Sequence, residues 1–384
     1  MSMAEPRDRF DSIASEHHLP LLDKRNIRRN TAEPAGTERE MNWELLKELC
    51  DTPGVPGHEQ AVAEIMRREF AELTDDVATD PMGNVIAHIR GDGIRVALDA
   101  HTDEVGCIVS HVDERGFIRV MPLGGIDPRI FGAQRVVVHG KRRLQGVVGS
   151  VPPHLTRGRE SDRDRSVPIE DSFIDTGLSG DEVGETVSVG DIVTFDSSLT
   201  DTGEAFIGKA FDDRAGLFAM VEAVRAAERI TCDLFLVAAV QEERGLRGTG
   251  CAAFSVEPDV AIAIEGTFAN DVPGVPSHKQ LATQEKGPEL RLVDGRLIAD
   301  RGLVSFFEKL AQARDIPHQL IVKSAGTTNA TAIQTSRAGV RVAAVSMPVR
   351  YIHSPAGLLR KTDIQNTVRL LAAFLENASD LEGH

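Results

Sequence analysis

Asp233-Leu-Phe-Leu-Val-Ala-Ala-Val240, followed at once by Gln241-Glu242-Glu243-Arg244-Gly245, decides how the rest of the chain is read. After Asp233 the apolar residues run on without alternating, so the strand they form is buried on both faces. A strand of that kind sits inside a sheet rather than on its solvent side. Further strand-like runs lie at 84–89 (NVIAHI), 94–100 (IRVALDA), 259–264, 318–322 and 340–347, with the turn GDG at 91–93 between the first two. Helix-like segments lie at 212–228, 300–314, 328–337 and 361–378. Near the start, 43–50 reads as a short helix, broken by DTPGVPG at 51–57. Val62, Ile65, Met66 and Phe70 then recur at helical spacing within 58–73. Strands alternating with helices predict an α/β fold, a mixed central sheet with helices on both faces.

Two stretches depart from that rhythm. Between 106 and 205, short β-rich runs such as RVVVHG (135–140), QGVVGSV (145–151) and DIVTF (191–195) are separated by Gly, Pro and charge. They read as a small all-β domain inserted into the α/β domain. RGRESDRDRS (157–166) reads as a solvated loop within it. Residues 1–41 are polar, charged and aperiodic and read as a flexible extension or docking arm. The expected plan is therefore an extension (1–41), a first catalytic α/β segment (42–105), the β insertion (106–205) and a second catalytic α/β segment (206–384).

Composition narrows the chemistry. Across 384 residues, 43 basic and 59 acidic side chains give a net charge of −16, which argues against nucleic-acid and anionic-membrane partners. One Trp and one Tyr make an aromatic stacking platform a poor reading. Cys50, Cys107, Cys232 and Cys251 form no C-x-x-C pair, so neither a zinc ribbon nor a disulfide framework is expected, and a reducing cytoplasm is the default. No apolar run is long enough to span a membrane, and the first twenty residues lack a signal-peptide core. No G-x-S-x-G elbow, Walker A loop or G-x-G-x-x-G after a strand is present.

What remains is a set of acids and histidines at predicted strand ends, where open α/β sheets gather their sites. Asp99-Ala-His101-Thr-Asp103-Glu104 follows IRVAL, and in H-x-D the Asp can accept the second imidazole N–H. Asp212-Asp213 opens a predicted helix; the pair is either an N-cap with a first-turn acid, or a metal-bridging Asp212 with Asp213 supporting the loop. Glu242 and Glu243 leave the most apolar strand pointing in different directions, so one can face a metal and the other a water; the alternative is a solvated acidic turn. Glu265 ends another apolar run, and His353 lies in RYIHSP. Each alone reads as a satisfied polar residue. Together they supply the mixed N/O ligation of two-metal hydrolases, with metals roughly 3.5–4 Å apart and a bridging carboxylate. That donor set suits zinc, cobalt or manganese. His17-His18 and His154 read as idle.

HTDEVG, KAFDDRAG, QEERGLRG and RYIHSP, in that order, resemble the tetrahedral aminopeptidase family, also called glutamyl aminopeptidase or cellulase M-like, which are co-catalytic metallopeptidases. The resemblance covers about 42–378, including LGGIDPRIFGAQRVVVHG and GVVGSVPPHL in the insertion. It implies a zinc-aminopeptidase-like fold and two divalent metal ions per subunit. His101 and Glu265 would hold one ion, Glu243 and His353 the other, with Asp212 bridging. Glu242 would be the general base, Asp103 would orient His101, and the Asp212–Asp213 peptide would be cis. Two departures stand out: Glu265 where relatives often have Asp, and AGTTNATAIQ (325–334), with Asn329 where an Asp is common. Thr328 and Asn329 lie in a loop close to the substrate in relatives. The resemblance also implies peptide substrates, and a homo-oligomer of dimers built through the β insertion, with a tetrahedral dodecamer as the full assembly.

The function expected is hydrolysis of the N-terminal peptide bond of short peptides. One alternative is an N-acyl amino acid deacylase using the same site, separable by assaying amino-acid p-nitroanilides against N-acyl amino acids. Another is an inactive scaffold, which metal analysis and a peptide panel would reveal. Sugar hydrolysis fits poorly, because it calls for a carboxylate pair flanking a groove often lined by aromatics.

Overall fold

The computed structural model describes residues 40–150 and 166–383. The expected extension up to residue 39, His17, His18, His154 and nearly all of RGRESDRDRS lie outside the described residues.

The chain opens with α1 (Trp43–Asp51) and α2 (Gln60–Ala71), then β1 (Val77–Thr79), β2 (Val85–Ile89) and β3 (Arg95–His101). It continues through β4 (Gly106–Val112), β5 (Ile118–Leu123), α3 (Pro128–Phe131), β6 (Arg135–His139), β7 (Arg143–Gly149), β8 (Phe173–Asp175), α4 (Gly180–Thr186) and β9 (Ile192–Phe195). Then come β10 (Thr200–Asp201), β11 (Ala205–Gly208), α5 (Phe211–Ala226), β12 (Asp233–Ala239), α6 (Arg247–Val256), β13 (Val260–Phe268) and β14 (Glu289–Val293). The last elements are α7 (Arg301–Ala313), β15 (Gln319–Val322), α8 (Asn329–Gln334), β16 (Arg341–Arg350), β17 (Gly357–Arg360) and α9 (Lys361–Asn377).

Among the described residues, eleven strands form one mixed sheet. Its centre is β12-β3-β13-β16, all mutually parallel; β2, β17 and β14 pair with it antiparallel, and β11 pairs antiparallel with β17. The register explains the unbroken apolar run. Leu234, Leu236 and Ala238 of β12 join a core cluster with residues of α5, α9, α1 and α2. Phe235, Val237 and Ala239 join a second cluster with residues of α6 and α8. Each large apolar side chain of such a strand contributes about 1.5–3 kcal/mol by leaving water, whichever way it points.

The strands β4-β5-β8-β7-β6-β9 close into a small barrel around Val109, Ile118, Val138 and Ile174. Alternate residues of β7 are buried and exposed, the pattern of a sheet wetted on one side. The barrel leaves the sheet immediately after β3 and the chain returns at β10, whose Thr200 pairs with Ile207 of β11, so both crossings border the carboxyl ends of the central strands. None of the described helices is long and apolar enough to cross a membrane.

Candidate metal centre

Local backbone geometry sets the acids apart. The Asp212–Asp213 peptide is cis, and both residues have non-helical φ/ψ although they lie within α5. Asp213 Oδ1 accepts from the Gly216 N–H at 3.0 Å, as a capping acid does, and its Oδ2 accepts from the His101 N–H at 3.1 Å. The N-cap reading therefore describes Asp213, while Asp212 faces elsewhere. The turn after β12 is set by φ +58° at Gln241 and by three consecutive backbone N–H groups captured by two carboxylates. Gln241 N–H donates to Glu59 at 3.1 Å, and Glu242 and Glu243 N–H donate to the two oxygens of Asp103 at 3.0 and 2.9 Å. Asp103 thus orients the glutamates with its carboxylate and His101 with its carbonyl, which lies 3.0 Å from Nδ1. Glu265 does not end its strand: β13 continues to Phe268, because β16 keeps pairing with it as far as Val349.

The structure brings His101, Asp212, Glu242, Glu243, Glu265 and His353 together. His101 Nε2 lies 3.2 Å from Asp212 Oδ1, 3.7 Å from Glu265 and 4.0 Å from Glu242. His353 Nε2 lies 3.2 Å from Asp212 Oδ2 and 3.0 Å from Glu243 Oε1. The two oxygens of Asp212 therefore face two different imidazoles. Among the described residues, three overlapping groups have ligand atoms within 4.8 Å of one another: His101 with Glu242 and Glu243, His101 with Asp213 and Glu265, and Asp212 with Glu243 and His353. Thr328 and Asn329 are buried beside this cluster. Asn329 N–H donates to Glu265 Oε1 at 2.9 Å and its side chain donates to Asp99 at 2.6 Å.

The residues fit divalent cations on the tautomers alone. Nδ1 of His101 meets the Asp103 carbonyl and Nδ1 of His353 meets the Gly125 carbonyl at 2.8 Å, so each Nδ1 carries the hydrogen. In the neutral rings Nε2 is then a lone pair facing carboxylate oxygens, a place filled either by a proton or by a cation. Glu243 Oε1 accepts no hydrogen bond, although it is buried. The titration pattern points the same way. Burial pushes Glu265 up to about 8 and raises Glu242 and Asp213 well above the carboxylate range. Burial works against charge on His353, yet Glu243 and Asp212 hold its pKa up at about 11. The pocket demands positive charge. A narrow cavity of about 10 Å³ adjoins Asp212 and His353 between Val105, Phe195 and Phe211.

Other contributors carry no local signal in the sequence. Glu59 reaches Gln241 across 182 positions, and Gly125 reaches His353 across 228. Lys209 Nζ sits 2.7 Å from both oxygens of Glu104, a buried pair behind the site. Glu104 lies in HTDEVG and Lys209 in KAFDDRAG, but neither motif shows that the two meet.

Known proteins resemble the chain over most of its length. The model of the M42 glutamyl aminopeptidase family matches residues 83–370. A lysyl aminopeptidase of Pyrococcus furiosus is 35% identical over 350 residues, covering 89% of this chain and 99% of the relative. An aminopeptidase from Desulfurococcus kamchatkensis superposes with a TM-score of 0.84 at 36% identity, covering 89% of this chain and 97% of that one. The TET1 peptidase of Pyrococcus horikoshii, which can assemble into a tetrahedron or a large octahedral shell, has a TM-score of 0.76 at 30% identity, covering 87% of this chain and 98% of that one.

Proposed function

The chain belongs to the M42 glutamyl aminopeptidase family and is a hydrolase acting on peptide bonds, and from that premise we propose that it is a two-metal aminopeptidase releasing the N-terminal residue of short peptides. The observation that carries the reading is Asp212, whose two oxygens each lie 3.2 Å from a different histidine Nε2, the disposition of a bridging ligand. His101 and Glu265 would hold one ion and Glu243 and His353 the other. Zinc or cobalt suits these donors, and manganese is also compatible. When bound, the ions polarise the scissile carbonyl and lower the pKa of a nucleophilic water.

The chain's own groups supply the proton transfers and the alignment. Glu242 takes the proton from the water on a carboxylate oxygen and passes it to the leaving amine. Burial raises its pKa above the usual carboxylate range, which makes the carboxylate a stronger base. Asp103 fixes the direction of Glu242 and Glu243 through their N–H groups and the tautomer of His101 through its carbonyl. The two core clusters, reached by alternate side chains of β12, support a sheet covered by helices on both faces.

Glu242→Gln is expected to lower kcat by about 10²–10⁴-fold while leaving bound metal unchanged. Retained turnover in that variant would remove Glu242 from its role. Asp212→Ala should lose metal, and a variant that still holds two ions per chain would end the bridging assignment. The working form is proposed to be a homo-oligomer of dimers joined through the barrel, up to the tetrahedral dodecamer. Light scattering after size exclusion tests this, and a monomer at micromolar concentration would overturn it.

A further inference from the structure

Asn329 is one of two positions at which the chain departs from the family pattern its motifs resemble, and its surroundings give the departure a reason. The Asn329 backbone N–H donates to Glu265 Oε1 at 2.9 Å, which leaves Oε2 directed toward His101. The Asn329 side-chain Nδ2 donates to Asp99 Oδ1 at 2.6 Å, and Thr249 Oγ1 donates to Asp99 Oδ2 at 2.5 Å. Asn329, Asp99, Thr249 and Glu265 are all buried. Asp99 stands on β3 two residues before His101, in register with Ala263 of β13, itself two residues before Glu265. One residue, through its backbone N–H and its side chain, therefore ties together the two central strands that present His101 and Glu265. The amide cannot be turned round: Oδ1 toward Asp99 would set acceptor against carboxylate. As oriented, Oδ1 is buried without a hydrogen-bond partner. An aspartate at 329 would place two buried carboxylates within hydrogen-bond distance with no donor between them.

We propose that Asn329 is a positioning residue for Glu265, locked by Asp99 and Thr249, rather than a contact to the peptide, and that Asp99 is what requires an amide at position 329. The assignment rests on Glu265 being a metal ligand. Carboxylate and amide are complementary in either order, so exchanging them should preserve the tie.

The test is a cycle of Asn329→Asp, Asp99→Asn and the double exchange, with Glu265→Ala alongside. Zinc affinity is read by chelator competition, kcat and KM on an amino-acid p-nitroanilide, and the thermal midpoint on metal-free protein. Asn329→Asp is expected to weaken zinc binding by about 10- to 100-fold and lower kcat, as loss of a ligand's outer support does. KM should stay within about twofold, because no substrate contact is removed. The double exchange should recover most of the zinc affinity and the metal-free midpoint. A rise in KM alone with unchanged zinc affinity would make Asn329 a substrate contact and overturn the proposal. So would a double exchange no better than Asn329→Asp. Should Asn329→Asp not fold, recovery of folding in the double exchange supports the pairing and continued failure refutes it. If Glu265→Ala leaves zinc affinity intact, the ligand assignment falls; if it lowers affinity and Asn329→Asp does not, only the positioning role falls.

Discussion

Replacing Lys209 by methionine isolates the buried ion pair behind the metal centre. Lys209 Nζ holds both oxygens of Glu104 at 2.7 Å, and the two side chains are 5% and 2% exposed. Methionine keeps most of the volume and removes the charge. Glu104 would retain only the Gly54 N–H at 3.3 Å and the Arg214 guanidinium at 3.9 Å. Arg214 is already committed to the carbonyls of Leu49, Thr52 and Gly54. Stranding one partner of a buried pair costs about 3–5 kcal/mol. The distant guanidinium places this case near the lower end, about 3 kcal/mol. The unfolding entropy of about 2.1 cal/mol/K per residue gives roughly 0.8 kcal/mol per degree for a chain of this size, so the midpoint should fall by about 4 °C. The assay is thermal unfolding at fixed protein and zinc concentration, on Lys209→Met and on Lys209→Met/Glu104→Gln. Neutralising both partners should return most of the loss, because replacing a buried pair with neutral groups is close to neutral. A single variant within about 1 °C of the parent, or a double variant less stable than the single, would refute the reasoning.

Two further outcomes follow from other positions. A Cβ at Gly266 would meet Asp212 Cα and Cβ at 2.9 Å, so Gly266→Ala should displace Asp212, with about 1–3 kcal/mol of overpacking and loss of bound metal and activity together; full metal stoichiometry would contradict this. Asp363 accepts N–H groups from Glu285 and Gly287, but burial pushes it up to about 6. The folded value lies above the unfolded 3.8, so its contribution is present below that value and is lost as pH rises through about 6, some 3 kcal/mol in all. The stability difference between parent and Asp363→Asn, followed by denaturant unfolding, should therefore shift against the parent between about pH 4 and pH 6 and then level off; a flat difference would count against it.

Much of the fold is legible because β12 and β13 are long apolar runs that only a doubly covered sheet can bury. The structure likewise gathers His101, Asp212, Glu242, Glu243, Glu265 and His353 from motifs that are short and local. Long-range partners account for what is not legible. β14 carries Glu289 and Arg291, charges that look solvent-facing until each is seen buried against the other, with Lys323 beside Glu289. The helix α6 is disguised by Gly248 and Gly250, and Gly248 is there because a Cβ would strike the Asn84 side chain and the Val240 carbonyl. Glu265 reads as a strand end because the apolar residues stop there, whereas the backbone pairing does not. The ties of Asn329 to Asp99 and of Glu59 to Gln241 span 230 and 182 positions, and nothing local announces them.

The Gly125 carbonyl belongs to the inserted segment, yet it decides which nitrogen of His353 bears the hydrogen. The insertion is therefore not an accessory that can be exchanged freely between homologues. Grafting in a foreign barrel that fits the two crossings but shifts that one loop would leave a well-folded protein whose histidine presents the wrong nitrogen. Divergence of the insertion is thus constrained by a single peptide oxygen, a requirement on backbone position that no residue-type comparison would register.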